Sequence, residues 1–402
     1  MKRREILKAL TLVPLTGSIS AAVSPFESTA AVPAKRDLIK ELGIRTFINA
    51  SGYYTSLSGS LMHDEVLETI NLAANEFCTL DEVQDKVGER IATLLHAEAA
   101  TVTSGAFSAL MLGMSGVLTG RDSKKAALLP KLEESGMKSE VIVQKSHNDG
   151  YSHALTNCGV KLIRVETPQE VEEAINQKTA LMYFINYQAN LGKIQHAEWL
   201  ELAKKHQIPT MIDMAADVPP KENLWKFNDM GFDLVCVSGG KLMRGPQSAG
   251  ILSGKKDFIA AARLNAPPRG NNIGRGMKVN KEEILAMYIA LEKFIGQDED
   301  KEWKILEDRI AVIAKAARAV KYVKAELIPL PAINRVPTLN ISWDTSKIKL
   351  SNLGVVLRQG TPSVEVMNGP NGSINVTVHM LKPEQVKIVA SRIREELLKA
   401  SI

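Results

Sequence analysis

Leu234-Val235-Cys236-Val237-Ser238-Gly239-Gly240-Lys241-Leu242-Met243-Arg244-Gly245-Pro246-Gln247-Ser248-Ala249-Gly250-Ile251-Leu252 reads as an apolar strand, a glycine-bearing turn that carries a lysine, and a second apolar strand. A lysine at the end of a buried strand is desolvated, which disfavours its ammonium form and leaves an amine able to attack a carbonyl. Most lysines are solvated loop residues, so Lys241 needs partners elsewhere in the chain.

Upstream, the chain alternates apolar strands with helical periodicity. Strands are expected at Ala99–Thr103, Val141–Val143, Val160–Val165, Ala180–Asn186, Thr210–Asp213 and Leu234–Val237. Helices are expected at Ser104 to Leu118, Pro168–Ile175, Ala197–His206 and Leu224–Asp229, and earlier from Asp64 and after an Asp81 N-cap. This is the pattern of an α/β fold with a mostly parallel sheet and helices on both faces, whose ligands lie beyond the carboxyl ends of the strands. Ser104-Gly105, His147, Asp213 and Ser238 to Lys241 all fall at such ends.

Beyond Leu252, a Pro/Gly/Asn/Arg segment (residues 267–278) leads to a helix from Lys281 to about Phe294 and another through Lys301 to Val323. The remainder, from Val336, alternates strand and helix and closes with a helix from Pro383, a small α+β domain. The expected organisation is an N-terminal segment at 32–75, a large domain at 76–290, and the long helix with the small domain at 291–402.

At 402 residues with 45% hydrophobic and 24% charged residues, the composition is that of a soluble multidomain protein. A net charge of +5 without a dense basic block gives no indication of nucleic-acid binding and leaves room for a basic site that takes an anionic substrate. Cys78, Cys158 and Cys236 have neither disulfide nor zinc spacing, so buried free thiols and no metal site are expected. Lys2-Arg3-Arg4 followed by the apolar run Ala9 to Val23 and the small-residue region at Ser28 to Ala31 has the layout of an export signal of the twin-arginine type over residues 1–31. It is too short and interrupted to span a membrane.

Lys241 lies one strand–helix–strand unit after Asp213. Pyridoxal phosphate chemistry uses such a pair, with the lysine in a Schiff base and the carboxylate on the pyridinium nitrogen. Ala215 is small enough to lie against one ring face and His147 is placed to stack on the other. Ser104-Gly105-Ala106 and the Ser238 hydroxyl are placed to hold the phosphate, since a helix N-terminus binds anions.

These stretches, with Ile48-Asn49-Ala50-Ser51-Gly52 and Gly274-Arg275-Gly276-Met277-Lys278, resemble fold-type-I pyridoxal-phosphate enzymes. The branch is the one containing selenocysteine synthase (seryl-tRNA selenium transferase) and D-glucosaminate-6-phosphate ammonia-lyase-like proteins. The resemblance covers residues 40 to 400 or so, and Ser-Gly-Gly-Lys with Gly-Arg-Gly-Met-Lys favours the ammonia-lyase-like group. It implies Lys241 as the Schiff-base lysine, Asp213 as its pyridinium partner, and His147, Ala215, Ser104, Gly105, Ala106 and Ser238 as cofactor contacts. It also implies a homodimer or larger homo-oligomer. Arg269, Arg275, Lys278 and Arg358 are candidates for an anionic substrate group.

The expected reaction is a lyase reaction on an amino acid or amino sugar acid, by α-proton abstraction and β-elimination with release of ammonia. Selenocysteine-synthase-type transfer, transamination, aldol cleavage and racemisation remain open on the same scaffold. The Ser238-x-x-Lys241 spacing also matches the serine–lysine motif of penicillin-binding proteins, but the Ser-Asp-Asn and Lys-Thr-Gly elements are absent. A nicotinamide dehydrogenase is disfavoured by the lack of Gly-x-Gly-x-x-Gly after a strand. A purely structural protein is disfavoured by the intact Asp213 and Lys241 pair.

Overall fold

Thr179–Ile185 is buried at every position, and its side chains divide by twos between two cores. Leu181, Tyr183 and Ile185 pack into one, Met182 and Phe184 into the other. A strand covered on both faces is the centre of a helix-sandwiched sheet. The computed structural model describes residues 36–330 and 336–402, so the expected export signal at 1–31 lies outside the described residues. A short helix, Leu38–Glu41, belongs to a separate unit ending at Thr46, and everything from Phe47 to Ile402 forms one compact unit.

The strands are β1 (Ile48–Asn49), β2 (Ala99–Thr103), β3 (Glu140–Gln144), β4 (Lys161–Val165), β5 (Thr179–Ile185), β6 (Thr210–Asp213), β7 (Leu234–Ser238) and β8 (Gly250–Gly254). They are followed by β9 (Val323–Leu327), β10 (Thr338–Trp343), β11 (Val364–Glu365), β12 (Met367–Asn368) and β13 (Ile374–Thr377). Seven form the large sheet in the order β2-β8-β7-β6-β5-β3-β4. All neighbouring pairs are parallel except those of β8, which runs antiparallel to β2 and β7. Helices connect the parallel strands, so the carboxyl ends of β5, β6 and β7 share one edge.

One edge strand, β4, exposes Lys161 and Arg164, and these charges blunt it against further pairing. The other, β2, is covered differently. The buried Gln84 amide donates to the Val102 carbonyl at 2.8 Å and accepts from the Val102 N–H at 3.0 Å, pairing the edge as a neighbouring strand would.

The small C-terminal sheet, order β12-β13-β10-β9, packs with the helices Glu299–Arg318 and Pro383–Lys399 around a third core that includes Ile313, Ile341, Val376 and Ile393. The parallel pairing of β1 with β11 ties the start of the compact unit to this region.

Three local expectations change. The helix expected after Asp81 begins at Leu80 with Thr79 at its N-cap, and Asp81 instead accepts from Arg263 and Arg269. The helix expected to reach Val323 stops at Arg318, because Val323 is recruited into β9 opposite Trp343. Cys158 and Cys236 are buried free thiols as expected, whereas Cys78 is exposed.

Candidate active site

Gly250 pairs with Thr103 on one side and Ser238 on the other. This register brings the end of β2, and with it the start of the helix Gly105–Thr119, across one glycine from the end of β7. Gly105 opens that helix at φ +84°, in the left-handed region. A Cβ on Gly250 would lie 2.6 Å from the Gly105 carbonyl carbon and 2.8 Å from the Ala106 nitrogen, so only glycine permits the approach. Ser104, Gly105, Ala106 and Ser238 are thus gathered at one sheet edge, with backbone N–H groups of a helix start among them. The Cys236 thiol donates to the Ala106 carbonyl at 3.2 Å and fastens β7 to the same turn.

Asp213 ends β6, next to β7, and is 4% exposed. Its carboxylate accepts from the Ala215 N–H at 2.9 Å and from the Tyr183 hydroxyl at 3.2 Å. Burial pushes its pKa up to about 6, against the opposing pull of the Ala215 N–H, the Lys241 charge and the Tyr183 hydroxyl. Lys241 is half-buried, and among the described residues it is in no salt bridge. Desolvation lowers its pKa, while Asp213 and then Asp217 act in the other direction. The two groups therefore feel each other's charge inside one water-poor site. A ring nitrogen placed on Asp213 and a carbonyl placed on Lys241 would meet a buried acid and an amine biased toward its neutral form.

The loop before the first long helix holds Lys241 in place. The Ser60 hydroxyl donates to the Lys241 carbonyl at 2.6 Å, Arg244 Nε donates to the Leu61 carbonyl at 2.7 Å, and the Gln247 amide donates to the Thr55 carbonyl at 3.2 Å. That loop, polar and rich in Gly, Ser and Thr, is therefore packed against the turn that carries Lys241.

His147 is 0% exposed. Its Nδ1 accepts from the Ile185 N–H at 3.2 Å, and Phe184 meets its ring edge-on at a centroid distance of 4.6 Å. Burial pushes its pKa down to about 4. The structure gives this ring to Phe184 and to the sheet edge, not to an open face.

The four candidate substrate cations are not brought together by hydrogen bonds. Arg269 pairs with Asp81 at 3.0 Å, and Arg358 Nε contacts both oxygens of the buried Glu365 at 3.0 and 2.9 Å. Arg275 and Lys278 are exposed.

Residues that the sequence did not single out complete the site. Tyr183 faces Asp213 from the adjacent strand. Asp217, four residues after Asp213, is 1% exposed and accepts from the Asn186 amide at 2.9 Å, while the Asn186 oxygen contacts His196 Nε2 at 2.7 Å. Burial pushes Asp217 up to about 7. Asp217, a second acid four residues after Asp213, was a visible signal in the sequence. Nothing local marked Tyr183, whose role depends on strand order.

Beside the Lys241 loop lies a cleft of about 790 Å3, within the usual range for small-molecule sites. Leu242 and Arg244 from that loop line it, together with Pro219 and Pro220 from the chain after Asp217.

Comparison with known proteins places this arrangement. The chain is 25% identical over 374 residues to D-glucosaminate-6-phosphate ammonia lyase of Salmonella typhimurium, covering 89% of this chain and 97% of that one. It is 23% identical over 376 residues to 5'-C-glycyluridine monooxygenase-decarboxylase of a Streptomyces species, covering 89% and 92%. It is 24% identical over 406 residues to L-seryl-tRNA(Sec) selenium transferase of Alkaliphilus oremlandii, covering 88% and 82%. A solved structure of D-glucosaminate-6-phosphate ammonia-lyase shares the fold with a TM-score of 0.78 at 24% identity, over 91% of this chain and all of that one. The aminotransferase class-V model matches residues 53–272, more than half of the chain and the whole span from the Ser60 loop through Lys241. The protein belongs to the aminotransferase class-V family of fold-type-I pyridoxal-phosphate enzymes.

Proposed function

We propose that the protein is a pyridoxal-phosphate-dependent lyase that acts on an amino acid or amino sugar acid, removing the α-proton, expelling a β-substituent and releasing ammonia. The observation that carries this is the pairing of buried Asp213 with half-buried Lys241, each shifting the other's protonation. The similarity to the ammonia lyase along nearly the whole of both chains supports this branch over transamination.

The residues present fit the cofactor. Gly105 and Gly250 keep side chains away from the helix start, leaving backbone donors for a phosphate, and Asp213 offers a buried carboxylate to a ring nitrogen. When bound there, pyridoxal phosphate supplies an electron sink for the pair of electrons left on the α-carbon. Asp213 holds negative charge against the ring nitrogen, oriented by Tyr183 and by the Ala215 N–H. Lys241 takes the α-proton, since desolvation biases it toward the free amine. The β-substituent leaves with its bonding electrons, and water then hydrolyses the resulting imine, its oxygen becoming the keto oxygen and the nitrogen leaving as ammonia. Burial of Asp213 and Tyr183 keeps water from competing for these positions.

The test is ammonia and keto-acid release from D-glucosaminate-6-phosphate and a panel of D- and L-amino acids. Lys241→Ala should abolish turnover. Purified protein without bound cofactor, or a Lys241→Ala variant with full turnover, would sink this reading. Selenium transfer to a seryl-tRNA is the second reading, carried by similarity to the selenium transferases, and product formation on that tRNA would establish it.

The leader-like residues 1–31 support export by the twin-arginine route, and cell fractionation with Arg3→Lys/Arg4→Lys checks it. Exposed Leu61, Leu72 and Phe77 support a homo-oligomer, which light scattering measures directly. No helix among the described residues is long and apolar enough to cross a membrane.

A further inference from the structure

Asp217 is buried and its backbone is pinned: the N–H donates to the Met214 carbonyl at 3.3 Å, and the carbonyl accepts from the Asn223 amide at 2.7 Å. One carboxylate oxygen, Oδ2, accepts from the Asn186 amide at 2.9 Å. His196 decides which way that amide points. Its ring packs against Phe184 and Phe227, at centroid distances of 4.5 and 5.1 Å, and burial pushes its pKa down to about 4. The neutral ring, with its N–H assigned to Nε2, donates to the Asn186 oxygen at 2.7 Å, which leaves the amide nitrogen for Asp217.

The other oxygen, Oδ1, is buried with no hydrogen-bond partner. Neither protonation state satisfies it, since the carboxylate lacks a donor there and the acid lacks an acceptor for its O–H. An oxygen closed to solvent must take its partner from within the site. Two charged groups act on Asp217, namely Asp213 and Lys241, and only the lysine can donate. Asp213 is already engaged at both oxygens, by the Ala215 N–H and the Tyr183 hydroxyl. Lys241 is half-buried, and among the described residues it is in no salt bridge. Its long flexible stem lets Nζ swing, and Asp217 already favours its charged form. Leu242, next to Lys241, and Pro219, two residues after Asp217, line one cleft, so the two loops are neighbours.

We propose that Asp217 receives the Lys241 ammonium once the lysine has taken the α-proton, with Oδ1 accepting from Nζ. This rests on the lyase reading above and adds a positioning residue to it, one that acts through Lys241. The Cα–H bond breaks with its electron pair left on carbon, and the Lys241 lone pair forms the new N–H bond. An ammonium formed in a water-poor site is costly without a counter-charge. Asp217 supplies that charge while Asp213 stays on the ring nitrogen. Returning the proton to the departing β-substituent restores the neutral amine and frees Oδ1.

The test follows Asp217→Asn and Asp217→Glu in the cofactor-loaded enzyme, whose absorbance also shows that each variant is folded. Without substrate, the pH midpoint of that absorbance reports the proton on the Lys241 nitrogen. It should move down in Asp217→Asn, because a negative charge that favours the proton is gone. The shift should persist in about 0.5 M sodium chloride, since buried pairs are screened little. With D-glucosaminate 6-phosphate, kcat should fall about tenfold or more, the scale of one charge-assisted hydrogen bond, with KM little changed. The α-deuterium isotope effect on kcat should grow, and Asp217→Glu should recover part of the rate. An unmoved midpoint, a shift erased by salt, or an unchanged kcat would overturn the proposal. Because the midpoint needs no substrate, the two readings fail separately. A midpoint that moves without ammonia release removes the lyase and leaves the contact, whereas ammonia release with an unmoved midpoint removes only the contact.

Discussion

The Tyr183 hydroxyl donates to Oδ2 of Asp213 at 3.2 Å across the parallel β5–β6 pair. Both groups are buried, and the bond favours the charged form of Asp213 against the larger effect of burial. Tyr183→Phe keeps the packing and removes the donor, raising the Asp213 pKa above its value of about 6. Activity near neutral pH should fall by about tenfold, the scale of one hydrogen bond to a charged group. The pH midpoint of the bound-cofactor absorbance should move upward. An unmoved midpoint would show that Tyr183 is only a packing residue.

Gly250→Ala tests the meeting of β2, β7 and the helix start. The added methyl would press on the Gly105 carbonyl carbon and the Ala106 nitrogen. Cofactor affinity should fall by at least about tenfold, with about 1–3 kcal/mol of lost stability as the backbone shifts. Equilibrium dialysis against pyridoxal phosphate reads the first and thermal unfolding the second.

Gln84→Leu exposes the edge of β2. The Val102 N–H and carbonyl and the Thr101 hydroxyl all lose their partner. At about 1–3 kcal/mol for each orphaned group, less what water recovers, the loss should be several kcal/mol. Denaturant unfolding measures it, and a loss below 1 kcal/mol, or about the noise of such data, would mean that water replaces the amide.

Asp217 gives a pH dependence of definite sign. Its folded pKa, about 7, stands above the ordinary 3.8 because burial penalises the charge. The folded state thus binds the proton more tightly, and stability contributed by this group is present at low pH and lost as pH rises through 7. Asp217→Asn removes that loss. The melting temperature of the variant relative to wild type should rise between pH 5 and pH 8, and a difference that is flat or falls over this interval would contradict the assignment.

His147, His196, His63 and His379 act in the opposite sense. Each is pushed down to about 4 by burial. Their neutral forms contribute stability above pH 6.5 that is lost as pH falls toward 4, up to about 1.4 kcal/mol per group and pH unit. Replacing His147 with Gln should flatten the acid limb of stability against pH, read by the same thermal scans from pH 7 to pH 4.

The chain by itself determined the sheet and the cofactor, and it marked the two residues proposed to carry the chemistry. Apolar runs such as Ala180 to Ile185 announce strands buried on both faces, and Asp213 and Lys241 stand at strand ends one crossover apart. These are local signals, written in periodicity and spacing. Only the tertiary structure decided what surrounds them. The antiparallel β8 between β2 and β7 sets Gly250 against both Thr103 and Ser238, and strand order sets Tyr183 on Asp213. Arg269 and Arg358 looked available in the sequence, yet Asp81 and Glu365 occupy them. Arg244, Arg309, His63 and His379 are scattered over more than three hundred residues and come to line the one cleft beside the Lys241 loop only in the folded chain. Burial, which decides whether an imidazole or a carboxyl carries charge, is a property of those long-range contacts.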